Sequence, residues 1–348
     1  MAHVATITID HTKVPGDLTD YVGLIVPDAS AGYSALYALC LEGGGDIRLF
    51  KSDDTTELAR EIVTFSVSAE TGEIHYKYSG TLSSSVDTDI HVYADGSSSD
   101  YAVGATYGRN NVWSDYAGVF HQDSVVDSSG NGDATAVSIT NNSTNGKIGD
   151  GAGYNGSGSR LDVGTNRQTP DGYTLSSWVK TSATSNQMLF SSAFGSGNSN
   201  FMWYLFYYNA SGTMRLQGLG VDGNTTDYLT SAGGSISFST FTYVAVTHNL
   251  VNQKIYLNGA LRDTGSTVSF SGINNIVRKT YIGAYSVNNG FVLNGSMDES
   301  RICTLPRSAD CLETEFNNQN SPSTFYSVAA VAGGSAAQAA RRGAVMMM

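Results

Sequence analysis

Short runs of alternating apolar and polar residues, separated by turn-forming residues, cover the first hundred positions. Alternation with a period of two places successive side chains on opposite faces of an extended strand, so each run predicts a half-buried β-strand. Several short strands between Gly-, Asn- and Ser-rich turns are typical of a β-sandwich. The six predicted strands are Val4–Ile9, Val22–Val26, Asp46–Phe50, Ile62–Val67, Ile74–Tyr78 and Ile90–Tyr93.

The second half of the chain carries the same signature with clearer turn signals. Asn258-Gly259 separates two alternating runs, and this dipeptide is preferred in type I′ hairpin turns because both central residues need a positive φ. The pattern therefore predicts a second β-sandwich. Its predicted strands include Thr174–Lys180, Thr242–His248, Ile255–Leu257, Ala260–Arg262, Tyr281–Ala284 and Gly295–Ile302.

The end of the chain differs from the rest. A short helix is predicted over Ser308–Phe316, with Ser308 as its N-cap. Residues 329–348 are rich in Ala and Gly, a low-complexity composition that predicts a disordered tail. Because methionine fits irregular apolar gaps, we expect this tail to dock on another subunit. The residues expected to make that contact are Arg341, Arg342, Met346, Met347 and Met348.

Several glycine-rich and strand motifs follow one another in a fixed order between residues 121 and 328. They are Asp127–Gly132, Gly146–Gly149, Gly153–Gly164, Thr242–His248 and Gly295–Ile302. Together they resemble the laminin-G-like, concanavalin A-like jelly roll. The resemblance implies a fold that binds more often than it catalyses, so function has to be argued from sites.

The first hundred residues resemble an uncharacterised β-rich module that precedes laminin-G-like domains in phage virion and bacterial surface proteins. Gly44–Phe50, Thr55–Leu58 and Asp89–Gly96 carry this resemblance. We therefore expect an all-β chain with two β-sandwich (jelly-roll) domains in tandem, a short C-terminal helix and a low-complexity tail. The expected division is a β-sandwich over 1–100, a connector over 101–120, a laminin-G-like domain over 121–328 and a tail over 329–348.

The net charge of the chain limits the classes of partner that it is expected to bind. A formal net charge of −12 and a pI near 4.8 argue against nucleic-acid binding, which uses clustered Lys and Arg.

No run approaches the roughly 20 apolar residues of a membrane helix, so membrane insertion is not expected. The first ten residues lack the basic and apolar regions of a secretory signal, which favours release by lysis in a virion over secretion.

Three cysteines, Cys40, Cys303 and Cys311, cannot all pair and show no Cys-x-x-Cys spacing. We expect buried thiols, with a Cys303–Cys311 bridge as the alternative.

Calcium is the ligand that the motifs favour, as a structural ion. Asp127, Asn131 and Asp133 offer oxygen ligands at alternating positions in a glycine-rich loop, which suits a hard cation. The laminin-G-like resemblance implies that such a loop can lie beside the acidic residue of the last strand, here Asp298. The alternative is that Asp127 caps a turn while Asp298 accepts backbone N–H groups.

Two further patterns bear on catalysis. Glycoside hydrolases need two acids that project to the same side of one bond. Asp298 and Glu299 are adjacent on a predicted strand and should point to opposite faces. The six histidines show no metal-binding spacing, so a non-enzymatic function is favoured over a glycoside hydrolase.

The densest aromatic run is Phe201–Tyr208, with Trp203 on one face of the predicted strand and Tyr204, Phe206 and Tyr208 on the other. Only one face can enter a sandwich core. The outward face is a glycan site, a subunit contact or a surface covered by the connector, and aromatic faces are common at interfaces. Trp113 and Trp178 are assigned to packing.

These observations predict a phage virion structural protein, either a capsid decoration or a tail-associated protein. It would assemble with other virion proteins, form homo-oligomers and adhere to host glycans. The alternative is a secreted or surface carbohydrate-binding adhesin of lectin type.

Overall fold

A computed structural model describes residues 1–142, 144–165, 167, 172–181, 185–193, 202–208, 213–219, 226–236, 238–249, 251–266, 279–285 and 291–331. The chain forms two compact units. One contains Met1–Ser114 together with the C-terminal segment that begins at Glu313, and the other contains Asp115–Leu312. Both are built from antiparallel strands, which confirms the predicted all-β class.

The first unit contains a seven-stranded sheet in the order β2-β5-β4-β3-β6-β1-β22. All six strands predicted for this region are present, because each alternating run buries its apolar face. Leu24, Leu49, Ile74 and Ile90 are at most 1% exposed. The strands are β1 Ala2–Ile9, β2 Leu18–Ile25, β3 Arg48–Lys51, β4 Glu57–Ser66, β5 Thr71–Leu82, β6 Thr88–Ala94 and, at the C-terminus, β22 Tyr326–Ala330; helices α1 Ser34–Leu39 and α2 Arg109–Val112 lie between them.

The C-terminal segment belongs to the first unit. Strand β22 pairs antiparallel with β1, from Ile9 opposite Tyr326 to Ala5 opposite Ala330. Helix α3, Ala309–Asn320, precedes it and begins as predicted, since the Ser308 hydroxyl accepts a hydrogen bond from the Cys311 amide at 3.1 Å. The sequence-based division placed residues 313–328 in the second domain, whereas their contacts lie in the first. The difference arises from strand pairing across the whole chain, which local patterns do not show.

The second unit is a sandwich of two sheets. One follows the order β19-β18-β17-β12-β21-β10-β9, with β7 also paired to β21, and the other follows β16-β15-β14-β13-β20-β11-β8. The strands are β7 Tyr116–Phe120, β8 Thr135–Val137, β9 Thr140–Asn142, β10 Gly151–Asn155, β11 Arg160–Thr165, β12 Gly172–Thr181, β13 Gln187–Ala193, β14 Met202–Tyr208, β15 Thr213–Leu219, β16 Thr226–Ser235, β17 Thr242–Asn249, β18 Asn252–Leu257, β19 Ala260–Ser266, β20 Lys279–Ile282 and β21 Asn294–Cys303.

The core of the second unit lies between these sheets. Leu175 and Val244 from one sheet pack with Phe190 and Ile282 from the other, and all four are fully buried. Residues 258 and 259 join β18 to β19 with positive φ values of 49° and 75°, as a type I′ turn requires.

The aromatic and sulfur side chains behave mostly as predicted. Trp113 and Trp178 are buried, each in its own unit. All three cysteines are free; Cys40 and Cys303 are buried, whereas Cys311 is only half-buried. Among the helices of the described residues, none is long and apolar enough to cross a bilayer.

Candidate functional site

The last strand of the second unit contains a bulge at its acidic residues. Along β21, Asp298 lies opposite Trp178 and Arg301 opposite Ser176, so β21 has one residue more than β12 between these pairs. Glu299 has a φ of +50°, the left-handed conformation typical of a bulge. The bulge interrupts the strict alternation that the sequence predicts for Asp298 and Glu299.

Glu299 is held in a buried set of ionisable side chains. Its Oε1 lies 2.5 Å from Nδ1 of His121, which follows β7. Its Oε2 accepts a hydrogen bond from the Arg301 guanidinium, two residues along β21. All three side chains are at most 5% exposed. The carboxylate is therefore paired on both oxygens and shielded from water.

Asp298 is fully buried and accepts hydrogen bonds from the backbone. Its Oδ2 receives the amide N–H groups of Lys147 and Ile148 at 2.7 and 2.8 Å, and its Oδ1 receives that of Glu299 at 2.8 Å. Burial raises the pKa of Asp298 well above its usual value, and the charge of Glu299 acts in the same direction. The amide donors oppose this shift. Asp298 thus ties the 147–148 loop to the sheet.

A chain of polar side chains continues from the bulge. Gln122 donates to the Ser300 hydroxyl, which lies 2.9 Å from that of Ser177, and Tyr154 donates to the Gln122 amide oxygen at 2.8 Å. All four are buried. The polar residues around β21 therefore bond to one another, and Asp298 and Glu299 do not form the accessible acid pair that glycoside hydrolysis needs.

Asp127 pairs with an arginine that the sequence analysis did not connect to it. Its Oδ2 lies 2.6 Å from Nη1 of Arg167, and its Oδ1 accepts the Val119 amide at 3.0 Å and the Ser129 hydroxyl at 2.6 Å. Arg167 also donates to the Val163 carbonyl at 2.7 Å. The guanidinium supplies the positive charge that a bound cation would otherwise bring.

The other predicted calcium ligands also make protein contacts. Asn131 donates to the Tyr116 carbonyl at 3.1 Å, and Asp133 accepts the Asp127 amide at 3.0 Å. Within the described residues, Asp127 and Asp298 are in no group of three or more His, Cys, Asp or Glu side chains with ligand atoms close together. Calcium binding stays a prediction, and an ion that uses Asp127 would have to displace Arg167.

The predicted aromatic strand exists as β14. It pairs with β13, placing Tyr204 opposite Ser192 and Phe206 opposite Phe190. The side chains of Trp203, Tyr204, Phe206 and Tyr208 lie outside the part of the structure that is described. So do the predicted tail residues: Arg341, Arg342, Met346, Met347 and Met348.

A groove of about 410 Å³ opens on the first unit and was not predicted from the sequence. It lies between the loop that follows β2 and the segment formed by β22 and the preceding helix α4, Pro322–Phe325. Asp28, Ser30, Tyr33, Ser323 and Tyr326 line it. Its volume falls in the range of small-molecule sites. No local sequence pattern predicts the groove, because residues 26–33 and residues 322–328, which line it, are far apart in the sequence.

Two groups of side chains in the first unit have metal-ligand chemistry. One consists of Asp10, His11 and Asp87, and the other of His3, Asp54 and His91. Strand pairing brings each group together, so the scattered histidine positions gave no spacing signal.

Residues 155–312 match the model of a family described as the concanavalin A-like lectin/glucanases superfamily. This match confirms the laminin-G-like resemblance for that part of the chain. No curated protein matches the sequence.

Solved structures similar to this chain are β-rich domains with low sequence identity. Domain 4 of an extracellular GH43 arabinanase from Geobacillus stearothermophilus, in complex with arabinotriose, is 18% identical, covers 57% of this chain and 98% of its own, and has a TM-score of 0.45. The binding domain of Paraclostridial Mosquitocidal Protein 1 is 16% identical, with coverages of 59% and 52% and a TM-score of 0.46. The CBM40 of a Ruminococcus gnavus IT-sialidase, bound to α2,3 sialyllactose, is 21% identical, with coverages of 41% and 81% and a TM-score of 0.37.

Proposed function

We propose that this protein acts by binding glycans and not by catalysis. The observation that carries the proposal is the state of the two acids on β21. Asp298 accepts three backbone N–H groups, and Glu299 is paired with His121 and Arg301. Neither is available to protonate a glycosidic oxygen or to attack a sugar carbon. The description of the matched superfamily includes lectins, which supports glycan binding as the function.

The ligand is a neutral oligosaccharide, and β14 supplies the site. Sugars bind to aromatic faces that carry a few polar groups, and β14 contains Trp203, Tyr204, Phe206 and Tyr208. Sulfated and sialylated glycans are negatively charged, so a protein with a net charge of −12 repels them at distances up to about one Debye length. Neutral glycans are therefore favoured as ligands.

Glycan binding is tested by isothermal titration of the full chain with neutral oligosaccharides. Adjacent residues of a regular strand face opposite ways, so Phe206→Ala and Tyr207→Ala, in the part of β14 that pairs with β15 without a register shift, probe its two faces. We expect one variant to lose binding and the other to retain it. Ser323→Trp, which fills the groove of the first unit, is the matched control and should bind as the wild type does. Release of shortened sugars during the titration would overturn the non-catalytic proposal.

The setting we propose is the phage virion, as a capsid decoration or tail-associated protein. The order of the two β-rich modules resembles that of phage virion proteins and of bacterial surface proteins, so it supports a virion protein and a surface adhesin equally. The test is mass spectrometry of density-purified particles from the source culture. We expect this chain in stoichiometric amount; its presence only as free protein in the medium would favour a secreted adhesin.

A further inference from the structure

Two histidines and one aspartate meet at the surface of the first unit. His3 lies on β1 and His91 on the neighbouring strand β6, while Asp54 lies in the turn between β3 and β4. One ring nitrogen of each histidine and one carboxylate oxygen of Asp54 are all within 4.8 Å of one another. The Asp54 side chain is 50% exposed and that of His91 is 15% exposed, so an ion can reach the group from solvent.

Hydrogen bonds orient the three side chains. Nδ1 of His91 lies 2.5 Å from Oδ1 of Asp54, and the Tyr93 hydroxyl donates to the same oxygen at 2.8 Å. Nε2 of His3 lies 3.0 Å from the Ala5 carbonyl oxygen. A carbonyl can only accept, so the tautomer that makes this bond carries its proton on Nε2 and keeps the lone pair of Nδ1; the Thr6 hydroxyl lies 3.2 Å from the same Nε2. Metal-binding histidines commonly donate their second nitrogen to a backbone carbonyl in this way.

The imidazole of His3 is packed against two rings. It lies 4.3 Å from the ring of His91 and 5.0 Å from that of Tyr93, centroid to centroid. These contacts hold the ring of His3 beside that of His91.

We propose that His3, His91 and Asp54 form a binding site for a divalent first-row transition metal ion such as Zn²⁺. Two imidazole nitrogens select such ions over calcium, which prefers oxygen ligands only. The ion takes the place of the proton at Nδ1 of His91, and that proton moves by exchange with solvent to Nε2, so His91 binds as a neutral imidazole. Tyr93 then orients the aspartate from outside the ligand set. This site is independent of glycan binding by the second unit.

Metal binding requires small movements of the side chains. Zinc bonds of about 2.0–2.1 Å to nitrogen and oxygen in a tetrahedral site place the ligand atoms about 3.3 Å apart. Nδ1 of His91 and Oδ1 of Asp54, now 2.5 Å apart, must therefore separate by a little under an ångström, whereas the ring nitrogen of His3, which lies within 4.8 Å of both, must come to about 3.3 Å from each. Asp54 is in an exposed turn and His91 is on a strand, so side-chain rotation of the aspartate can supply the separation.

The group formed by Asp10, His11 and Asp87 provides a matched control. There, Nδ1 of His11 lies 2.6 Å from Oδ1 of Asp87, which resembles the His91–Asp54 contact. It has only one imidazole, so it should bind zinc more weakly. A substitution of His11 changes a surface histidine with an aspartate partner and leaves the proposed site intact.

The test is isothermal titration of the full chain with Zn²⁺. The protein should carry no histidine tag and should have a short Gly-Ser extension, so that the α-amino group cannot ligate the ion together with His3. We expect one equivalent to bind, at least 10-fold weaker binding for His91→Gln and Asp54→Asn, and no change for His11→Gln. Far-UV circular dichroism in EDTA verifies that each variant is folded.

Wild-type protein that is folded and binds no zinc would overturn the proposal. Equal affinity in wild type, His91→Gln and Asp54→Asn would also overturn it, because the ion would then lie elsewhere. If a variant does not fold, anomalous scattering at the zinc edge from wild-type crystals decides the matter. A peak between His3, His91 and Asp54 supports the site, and a peak at another position excludes it.

Discussion

Nη1 of Arg167 lies 2.6 Å from Oδ2 of Asp127, and both side chains are buried in the second unit. The same guanidinium reaches the carbonyl groups of Ala117 and Gly132. One arginine thus joins the segment that contains β7, the loop at Asp127 and the end of β11. The contact gives the buried Asp127 carboxylate a counter-charge from within the chain.

Loss of this arginine should strongly destabilise the second unit. Arg167→Ala leaves the Asp127 carboxylate buried without its counter-charge, and we expect the free energy of unfolding to fall by about 3–5 kcal/mol. Urea denaturation monitored by circular dichroism measures the change. The control is Lys279→Ala, which removes a pair with Asp162 whose lysine side chain is 54% exposed. That loss should be below about 1 kcal/mol, as for other surface pairs; similar losses in both variants would contradict a special role for Arg167.

Calcium should have little effect on stability if Arg167 already neutralises Asp127. Ligand that binds only the folded state raises its stability, so a calcium site would appear as a higher Tm in calcium than in EDTA. We expect the two Tm values to agree. A higher Tm in calcium would show that the ion displaces the guanidinium, and the predicted ligands Asp127, Asn131, Asp133 and Asp298 would then be the residues to substitute.

His248 should make the second unit less stable at acidic pH. It lies on β17 opposite Tyr173, and the two rings are stacked with centroids 5.0 Å apart. Burial lowers the pKa of His248 from 6.5 to about 4. Between these values the unfolded chain binds a proton that the folded chain does not, so stability falls as the pH decreases from 6.5 towards 4.

The expected loss at pH 5, relative to pH 7, is about 2 kcal/mol from this residue. Urea denaturation of wild type and His248→Gln at both pH values isolates it, because glutamine does not titrate. The variant should lose less stability than the wild type over this range. Parallel pH dependence in the two proteins would contradict the lowered pKa, because His248 would then titrate alike in the folded and unfolded chains.

Locally encoded features were predictable from the sequence. Each strand of the first unit from β1 to β6 is specified by its own alternation. The turn at Asn258 and Gly259 is specified by a dipeptide that tolerates positive φ, and the Asn258 side chain adds a hydrogen bond from the Tyr243 amide at 3.0 Å. Such signals need no knowledge of the distant chain.

Contacts between distant segments were not predictable. Nothing near Asp127 points to Arg167, and the bulge at Glu299 appears only when β21 is aligned with β12. Strand β22 was missed because Ser327 to Ala330 lack an apolar alternation, and its pairing partner lies at the other end of the sequence. The candidate sites depend on such contacts, which is why the zinc ligands and the groove were also missed.

The turn between β18 and β19 provides a test of the local signal. Gly259→Ala places a Cβ at a φ of 75°, which costs about 1 kcal/mol in the left-handed region. Gly259→Asn should cost less, since asparagine tolerates this conformation better. Thermal denaturation of the two variants ranks them. An alanine variant as stable as the wild type would mean that the turn adopts another conformation without cost.

Two C-terminal truncations should separate the stability of the first unit from incorporation into particles. Removal of residues 326–348 deletes β22, exposes the edge of β1 and removes the Tyr326 hydroxyl that accepts the Val26 amide at 2.8 Å. We expect the first unit to lose about 3 kcal/mol or more, by analogy with the removal of one large buried side chain.

Removal of residues 332–348 instead retains every pair between β1 and β22. Its Tm should equal that of the full chain, while incorporation into particles should be lost if Arg341, Arg342 and the terminal methionines dock on a neighbouring subunit. Quantification of the chain in purified particles, beside calorimetry of both truncations, separates folding from assembly. Normal incorporation of the shorter deletion would exclude the tail as the assembly element and leave the folded units to make the contacts.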